Sequence, residues 1–124
     1  MSESAQTIVN RFFAAMQVGA SAEGEMMALF TDDATYIEPF SGQPRTHVGK
    51  VAIRRCMLDG WKYPLPEMRI DIDRLSVEGD EVRVEWTCRS PGLPGGKGEG
   101  ENRFTLREGL ICRLETRIGR SANS

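Results

Sequence analysis

The pattern of apolar and polar positions divides this chain into a mainly helical first half, interrupted by one short strand, and a stranded second half. Ile8, Phe12, Ala15 and Met16 recur at helical spacing, with Val9 and Phe13 widening the stripe, which predicts a helix from Ala5 to Val18 lying on a core. Ser4 is placed to cap its start and Gly19 its end. Ser21 then begins a shorter helix through Met26, Met27 and Leu29 to Phe30. Thr31, Asp32 and Asp33 read as the turn after it, and Ala34 to Ile37 as a short strand of β-branched and aromatic character. Pro39 lacks an N–H and disfavours helix in the residue before it, so Glu38 is expected at the extended end of that strand. A loop from Phe40 to Val48 leads to a third helix, introduced by Gly49 and Lys50. This helix carries the column Ala52/Ile53, Cys56/Met57 and Gly60/Trp61, and Pro64 and Pro66 end it.

From Met68 the period becomes two. Met68, Ile70 and Ile72 alternate with Arg69, Asp71 and Asp73, and after Glu78-Gly79-Asp80 the set Val82, Val84, Trp86 and Cys88 alternates with Arg83, Glu85 and Thr87, a hairpin with one buried face. Ser90 to Gly100, rich in Gly and Pro, reads as a loop that is a candidate lid. Asn102, Phe104 and Leu106 share one face of the next strand, Glu108-Gly109 turns the chain, and Leu110 to Ile118 forms the last strand, followed by a frayed tail, SANS. Helices first and short-turn strands after predict an α+β domain spanning residues 1–124: a cone-shaped, curved antiparallel sheet with three N-terminal helices on its concave face. The open end of such a cone is a natural pocket for a small molecule.

Composition removes several function classes. A net charge of −2 and a pI near 5.5 offer no basic footprint for nucleic acid or an anionic membrane. The N-terminal MSESAQTIVNRFF has acid where a secretion signal has base, and no apolar run approaches the roughly 18 residues of a membrane span, so a cytoplasmic protein is expected. Cys56, Cys88 and Cys112 are too far apart for a CxxC site and odd in number, and read as reduced thiols. His47 is the only histidine, which excludes multi-His metal sites and disfavours a Ser-His-Asp triad; no metal is expected. The GGKGEG run lacks the first glycine, the Ser or Thr and the following helix of a phosphate-binding loop.

Two polar side chains stand out against apolar surroundings. Glu38 shares a face with Tyr36 at a strand end, and reads either as a structural acid paired with Arg45 or His47 or as a general base. Asn102 lies on the face of Phe104 and Leu106, either as a core amide or as a donor aimed into a cavity.

The NRFFAAMQVGA helix, the ALFTDDATYIEP stretch followed by HVGKVAIRR, and the closing NRFTLREGLICRLETR hairpin resemble the nuclear transport factor 2-like superfamily, and within it the SnoaL-like polyketide cyclase and ketosteroid isomerase groups. Those isomerases use an aspartate base with a tyrosine and a protonated aspartic acid as oxyanion donors. The resemblance puts Glu38 at the base position, Asn102 at that of the protonated acid, and Phe12 at that of the tyrosine. Glutamate keeps the carboxylate and asparagine donates without a raised pKa, whereas Phe12 cannot donate. The resemblance thus implies an enzyme needing no cofactor, of isomerase, cyclase or dehydratase type. It would remove a proton next to a carbonyl on a small, mostly apolar molecule, with Glu38 and Asn102 catalytic, Glu38 raised in pKa by burial, and Phe12, Tyr36, Met57, Trp86 and Phe104 as substrate-binding walls. A non-catalytic ligand-binding or dimerisation module is the alternative. A homodimer through the outer sheet face is also expected, from the mixed charges of Arg69, Asp71, Arg83, Glu85, Thr87, Ile111, Arg113, Glu115 and Arg117.

Overall fold

A computed structural model describes residues 4–119. Helix α1 (Ala5–Val18) is followed by a 3₁₀ turn (Ala20–Ala22), α2 (Glu23–Met27), β1 (Phe30–Glu38), β2 (Arg45–Val48) and α3 (Lys50–Gly60). Strands β3 (Arg69–Glu78), β4 (Glu81–Arg89), β5 (Lys97–Arg107) and β6 (Leu110–Ile118) complete the chain. The Ser4 hydroxyl accepts the Thr7 N–H at 3.1 Å, and Gly19, at φ 89°, donates its N–H to the Ala15 carbonyl, so both ends of α1 are closed as expected. Ser21 does not cap α2, which begins after the 3₁₀ turn without a side-chain cap. Among the described residues no helix is long and apolar enough to cross a membrane.

The six strands form one curved, unclosed sheet in the order β2-β1-β6-β5-β4-β3. It is mixed rather than wholly antiparallel, because β1 and β6 run parallel; every other neighbouring pair is antiparallel. Hairpin logic gives the orientation of consecutive strands but not which strand receives the first one, and here the crossover from β1 ends beside β6. Strand β1 also starts earlier than expected. Its pairing with β6 slips between Phe30 and Thr35, so the Thr31-Asp32-Asp33 signal marks a bulge inside a strand, with the Thr31 hydroxyl donating to Asp33.

Strand β2 lies within the stretch expected to be loop. Arg45-Thr46-His47-Val48 has no apolar alternation because it is an edge strand, paired only to β1 and partly exposed. Strand β5 begins at Lys97, so only Ser90 to Gly96 remains a loop, and that loop is fastened: the buried Ser90 hydroxyl donates to the Pro66 carbonyl at 2.6 Å and accepts the Gly92 N–H. The β5–β6 turn has Glu108 at φ 54° and Gly109 at φ 80°, the two positive values that a tight hairpin needs.

The concave face holds the core. Phe12 of α1 is 1% exposed and meets Phe13 and Phe104 edge-on, each ring pair 5.2 Å apart, while Ile53 and Met57 of α3 cover the β1 end. Ile111 belongs to this core and not to the outer face, because the β5–β6 register slips between Thr105 and Leu106 and makes Cys112 the extra residue. On the outer face Glu101 is 1% exposed, with Arg83 at 2.6 Å and Arg103 at 3.4 Å, and Arg113 and Arg117 flank Glu115. These charges pair largely within the chain.

Replacing Phe12 with alanine should cost about 3–5 kcal/mol of stability, because three aromatic neighbours lose their shared partner. Urea unfolding measures it; a loss below about 1 kcal/mol would show that this ring does not hold the helix to the sheet.

Candidate functional site

Two adjoining cavities open between the helices and the concave sheet face. The inner one, about 330 Å³, is almost wholly apolar and is lined by Phe12, Phe13, Ile70, Trp86, Cys88 and Leu93, with Asn102 and Thr116 among its few polar side chains. The outer one, about 760 Å³, carries Glu38, Arg45, Cys56, Met57, Trp61 and Tyr63. Met16, Tyr36, Phe40, Leu65 and Met68 border both, so the two chambers share a wall.

Glu38 is wholly buried at the end of β1. Arg45 is its direct cross-strand partner on β2 and His47 faces Tyr36 two residues away, so the ladder register delivers both side chains to one carboxylate. Oε2 accepts Arg45 Nε at 2.9 Å and His47 Nε2 at 2.8 Å, and receives the Cys56 thiol from α3 at 3.8 Å. Oε1 accepts the Phe40 N–H at 2.8 Å. A carboxylate offers about two lone pairs per oxygen, so Oε2 is saturated and Oε1 retains one free position. Since the ionised carboxylate only accepts, the proton on the His47–Glu38 bond sits on Nε2.

Burial acts to raise the Glu38 pKa, but the bonds from His47, the Phe40 N–H and Arg45, with the Arg45 charge, outweigh it and hold the carboxyl below its ordinary value. The direction is opposite to the sequence expectation, which weighed the apolar surroundings and not the donor cluster. Burial, with the Glu38 charge next in importance, pushes the Cys56 thiol up to about 11, so it stays protonated and serves as a donor. Burial is also the main reason that the Tyr36 hydroxyl is held as the neutral phenol. Glu38, His47 and Cys56 bring donor atoms of metal-ligating type within 4.8 Å of one another, but the Arg45 guanidinium on the same Oε2 opposes a second cation there.

Asn102 is 3% exposed and its Oδ1 accepts the Trp86 indole N–H at 3.1 Å. Phe12, Tyr36, Trp86 and Asn102 thus meet at the inner chamber, and Tyr36, Glu38 and Met57 at the outer one. Glu38 and Asn102 are not lining residues of one common apolar pocket as expected; each borders its own chamber, and the two chambers adjoin along Met16, Tyr36, Phe40, Leu65 and Met68. Phe104 borders neither, being 0% exposed behind Phe12 and Phe13. Sequence reasoning missed Cys56, Thr116 and the shared residues Met16, Leu65 and Met68 as contributors. Thr116 had a signal in its inward parity with Leu114, and Met68 in its parity with Ile70, while Leu65 lies in a connection whose path no periodicity predicts.

The model of the SnoaL-like domain family matches residues 9–114. The chain belongs to that family. Its fold is similar to that of a nuclear transport factor 2-like protein from Anabaena variabilis, at 17% identity and TM-score 0.77, with 98% of this chain and 96% of that one covered. It is also similar to a provisional polyketide cyclase from Sinorhizobium meliloti at 25% identity and TM-score 0.73, with coverage of 90% and 94%. A protein of ketosteroid isomerase-like fold from Catenulispora acidiphila, solved with trimethylamine, aligns at 19% identity and TM-score 0.72, over 93% and 87% of the two chains. No protein of curated function matches the sequence.

A depressed carboxylate stabilises the fold fully above the pKa of unfolded glutamate, near 4.5, and that contribution is lost as pH falls through the lower folded-state value. Wild type should therefore exceed Glu38→Gln in urea midpoint at neutral pH, with the gap narrowing progressively below 4.5. A gap that stays constant into strong acid contradicts the assignment.

Proposed function

We propose that this protein is a cofactor-independent enzyme of the isomerase, cyclase or dehydratase type, acting on a small, mostly apolar molecule that carries a carbonyl group. The supporting observation is the shared wall: an ionised carboxylate borders one chamber and a neutral amide the other, across Tyr36, Met16 and Phe40. A molecule whose apolar body fills the inner chamber places its carbonyl near Asn102 and its adjacent C–H toward Glu38. Glu38 Oε1 takes the proton, the C–H electron pair passes into the enolate, and Asn102 donates to the oxygen. Return of the proton from Glu38 to another carbon completes a double-bond shift; expulsion of a β-hydroxyl, which takes that proton and departs as water, completes a dehydration.

A second reading is a ligand-binding module that does no chemistry. It is favoured by the saturated state of Oε2 and by the low basicity of Glu38, since a carboxylate so well solvated by donors is a weak proton acceptor. In either reading the outer sheet face is the surface for two-fold association. Light scattering at micromolar concentration is expected to give a dimer mass, and a monomer mass contradicts it.

Deuterium incorporation next to the carbonyl of a panel of cyclic enones and 1,3-diketones, followed by proton NMR, separates the two readings. Wild type should accelerate exchange for at least one of them, Glu38→Gln should remove the acceleration while leaving affinity largely intact, and Asn102→Ala should slow it by about 10²-fold. Bound ketones with no exchange above the buffer rate, or equal exchange in Glu38→Gln, leave the binding-module reading.

A further inference from the structure

The Asn102 amide has a donor end and an acceptor end, and an apolar chamber does not by itself decide which one a ligand meets. Trp86 decides it. The indole N–H is a donor only, so the Asn102 atom 3.1 Å from it is the carbonyl Oδ1, and the two N–H bonds of Nδ2 form the end left for other partners.

Trp86 reaches this position because of what stands opposite. Gly100 faces Trp86 directly across the β4–β5 ladder, and Asn102 lies two residues further along the same face of β5. A Cβ at Gly100 would lie 2.2 Å from Trp86 Cζ2, 2.4 Å from Cη2 and 2.8 Å from the Arg117 carbonyl oxygen. Gly100 is not among the residues of positive φ, so its backbone conformation does not require glycine. The space is required by the indole, which lies over the bare β5 backbone and brings Nε1 to the amide. Among the other polar side chains of the chamber, Thr116 lies beside Tyr36 and Glu99 is exposed.

We propose that Gly100 and Trp86 are positioning residues that lock the Asn102 amide with its N–H bonds toward the inner chamber. The site thereby selects ligands that present an oxygen acceptor, such as a ketone, over isosteric hydrocarbons and over ligands that present only a donor. This rests on the reading that the inner chamber is the ligand site. The lock makes the amide a fixed donor before any ligand arrives, so no reorganisation accompanies binding.

The test uses two probes of one shape, 2-acetylnaphthalene and 2-ethylnaphthalene, and nitrogen–proton NMR of the full chain. In the free protein a coupling across the hydrogen bond from Trp86 Nε1 to the Asn102 side-chain carbonyl is expected. Absence of that coupling, with a strong proximity signal between the indole proton and the Asn102 N–H protons instead, overturns the proposal without any ligand. Wild type should bind the ketone about 3- to 10-fold more tightly than the hydrocarbon, with the Asn102 N–H pair shifting for the ketone alone. Trp86→Phe, which keeps an aromatic ring and removes the N–H, should bring that preference close to unity while the hydrocarbon still binds. Gly100→Ala should lose the indole coupling and the preference together; should it fail to fold, Trp86→Phe alone decides. Equal binding of the two probes by wild type overturns the lock and leaves the chamber as the ligand site, whereas failure of both probes to bind overturns both.

Discussion

A fully buried carboxylate must be surrounded by donors or lose its charge, and around Glu38 that requirement organises one end of the molecule. The four donors come from three places: the peptide just beyond β1, two residues of β2, and α3. The edge strand β2 has no apolar alternation to hold it down, so the Glu38 pairing and the β1 ladder are what define its position. The same interaction fixes the Phe40 loop, which walls both chambers. Anchoring the loop and building the cavity are therefore one event.

Much of the fold was legible because it follows from short-range physics. The α1 stripe, its Ser4 and Gly19 caps, the alternation of β4 and the Glu108-Gly109 turn each express a local rule, and each is found where that rule puts it, whereas the β3 alternation breaks at a register slip after Ile72, which is exposed. The unread features depend on partners distant in sequence. Strand β2 is polar because one edge is open, β5 runs into the glycine-rich stretch because Gly98 and Gly100 meet Cys88 and Trp86 across the ladder, and the parallel β1–β6 pairing joins opposite ends of the chain. The bulge at Cys112 turns Ile111 inward, and no period-two count from Leu110 anticipates a skipped residue.

Of the residues that the sequence singles out, Phe12, Tyr36, Glu38, Met57, Trp86 and Asn102 border a chamber and Phe104 does not. Parity brought Glu38 to the face of Tyr36 and Asn102 to the face of Phe104, and Arg45 and His47 were recognisable as partners for the acid. What parity does not carry is depth along the cone. Glu38 ends a strand near α3 and Asn102 sits mid-strand under α1, which puts them on two chambers rather than one. Nor does an apolar neighbourhood in sequence fix the sign of a pKa shift, because burial and donor bonds oppose each other and here the donors outweigh it.

The central claim is that Glu38 is a carboxylate at neutral pH, held by β2, Phe40 and α3 at the edge of the outer chamber. Titration of its side-chain carboxyl carbon by carbon-13 NMR, assigned by comparison with Glu38→Gln, tests that claim most directly. The account predicts a midpoint below the ordinary value of 4.5, rising when Arg45 is replaced by alanine. A midpoint above 4.5 in wild type would contradict it, showing that burial and not the donor cluster governs the group.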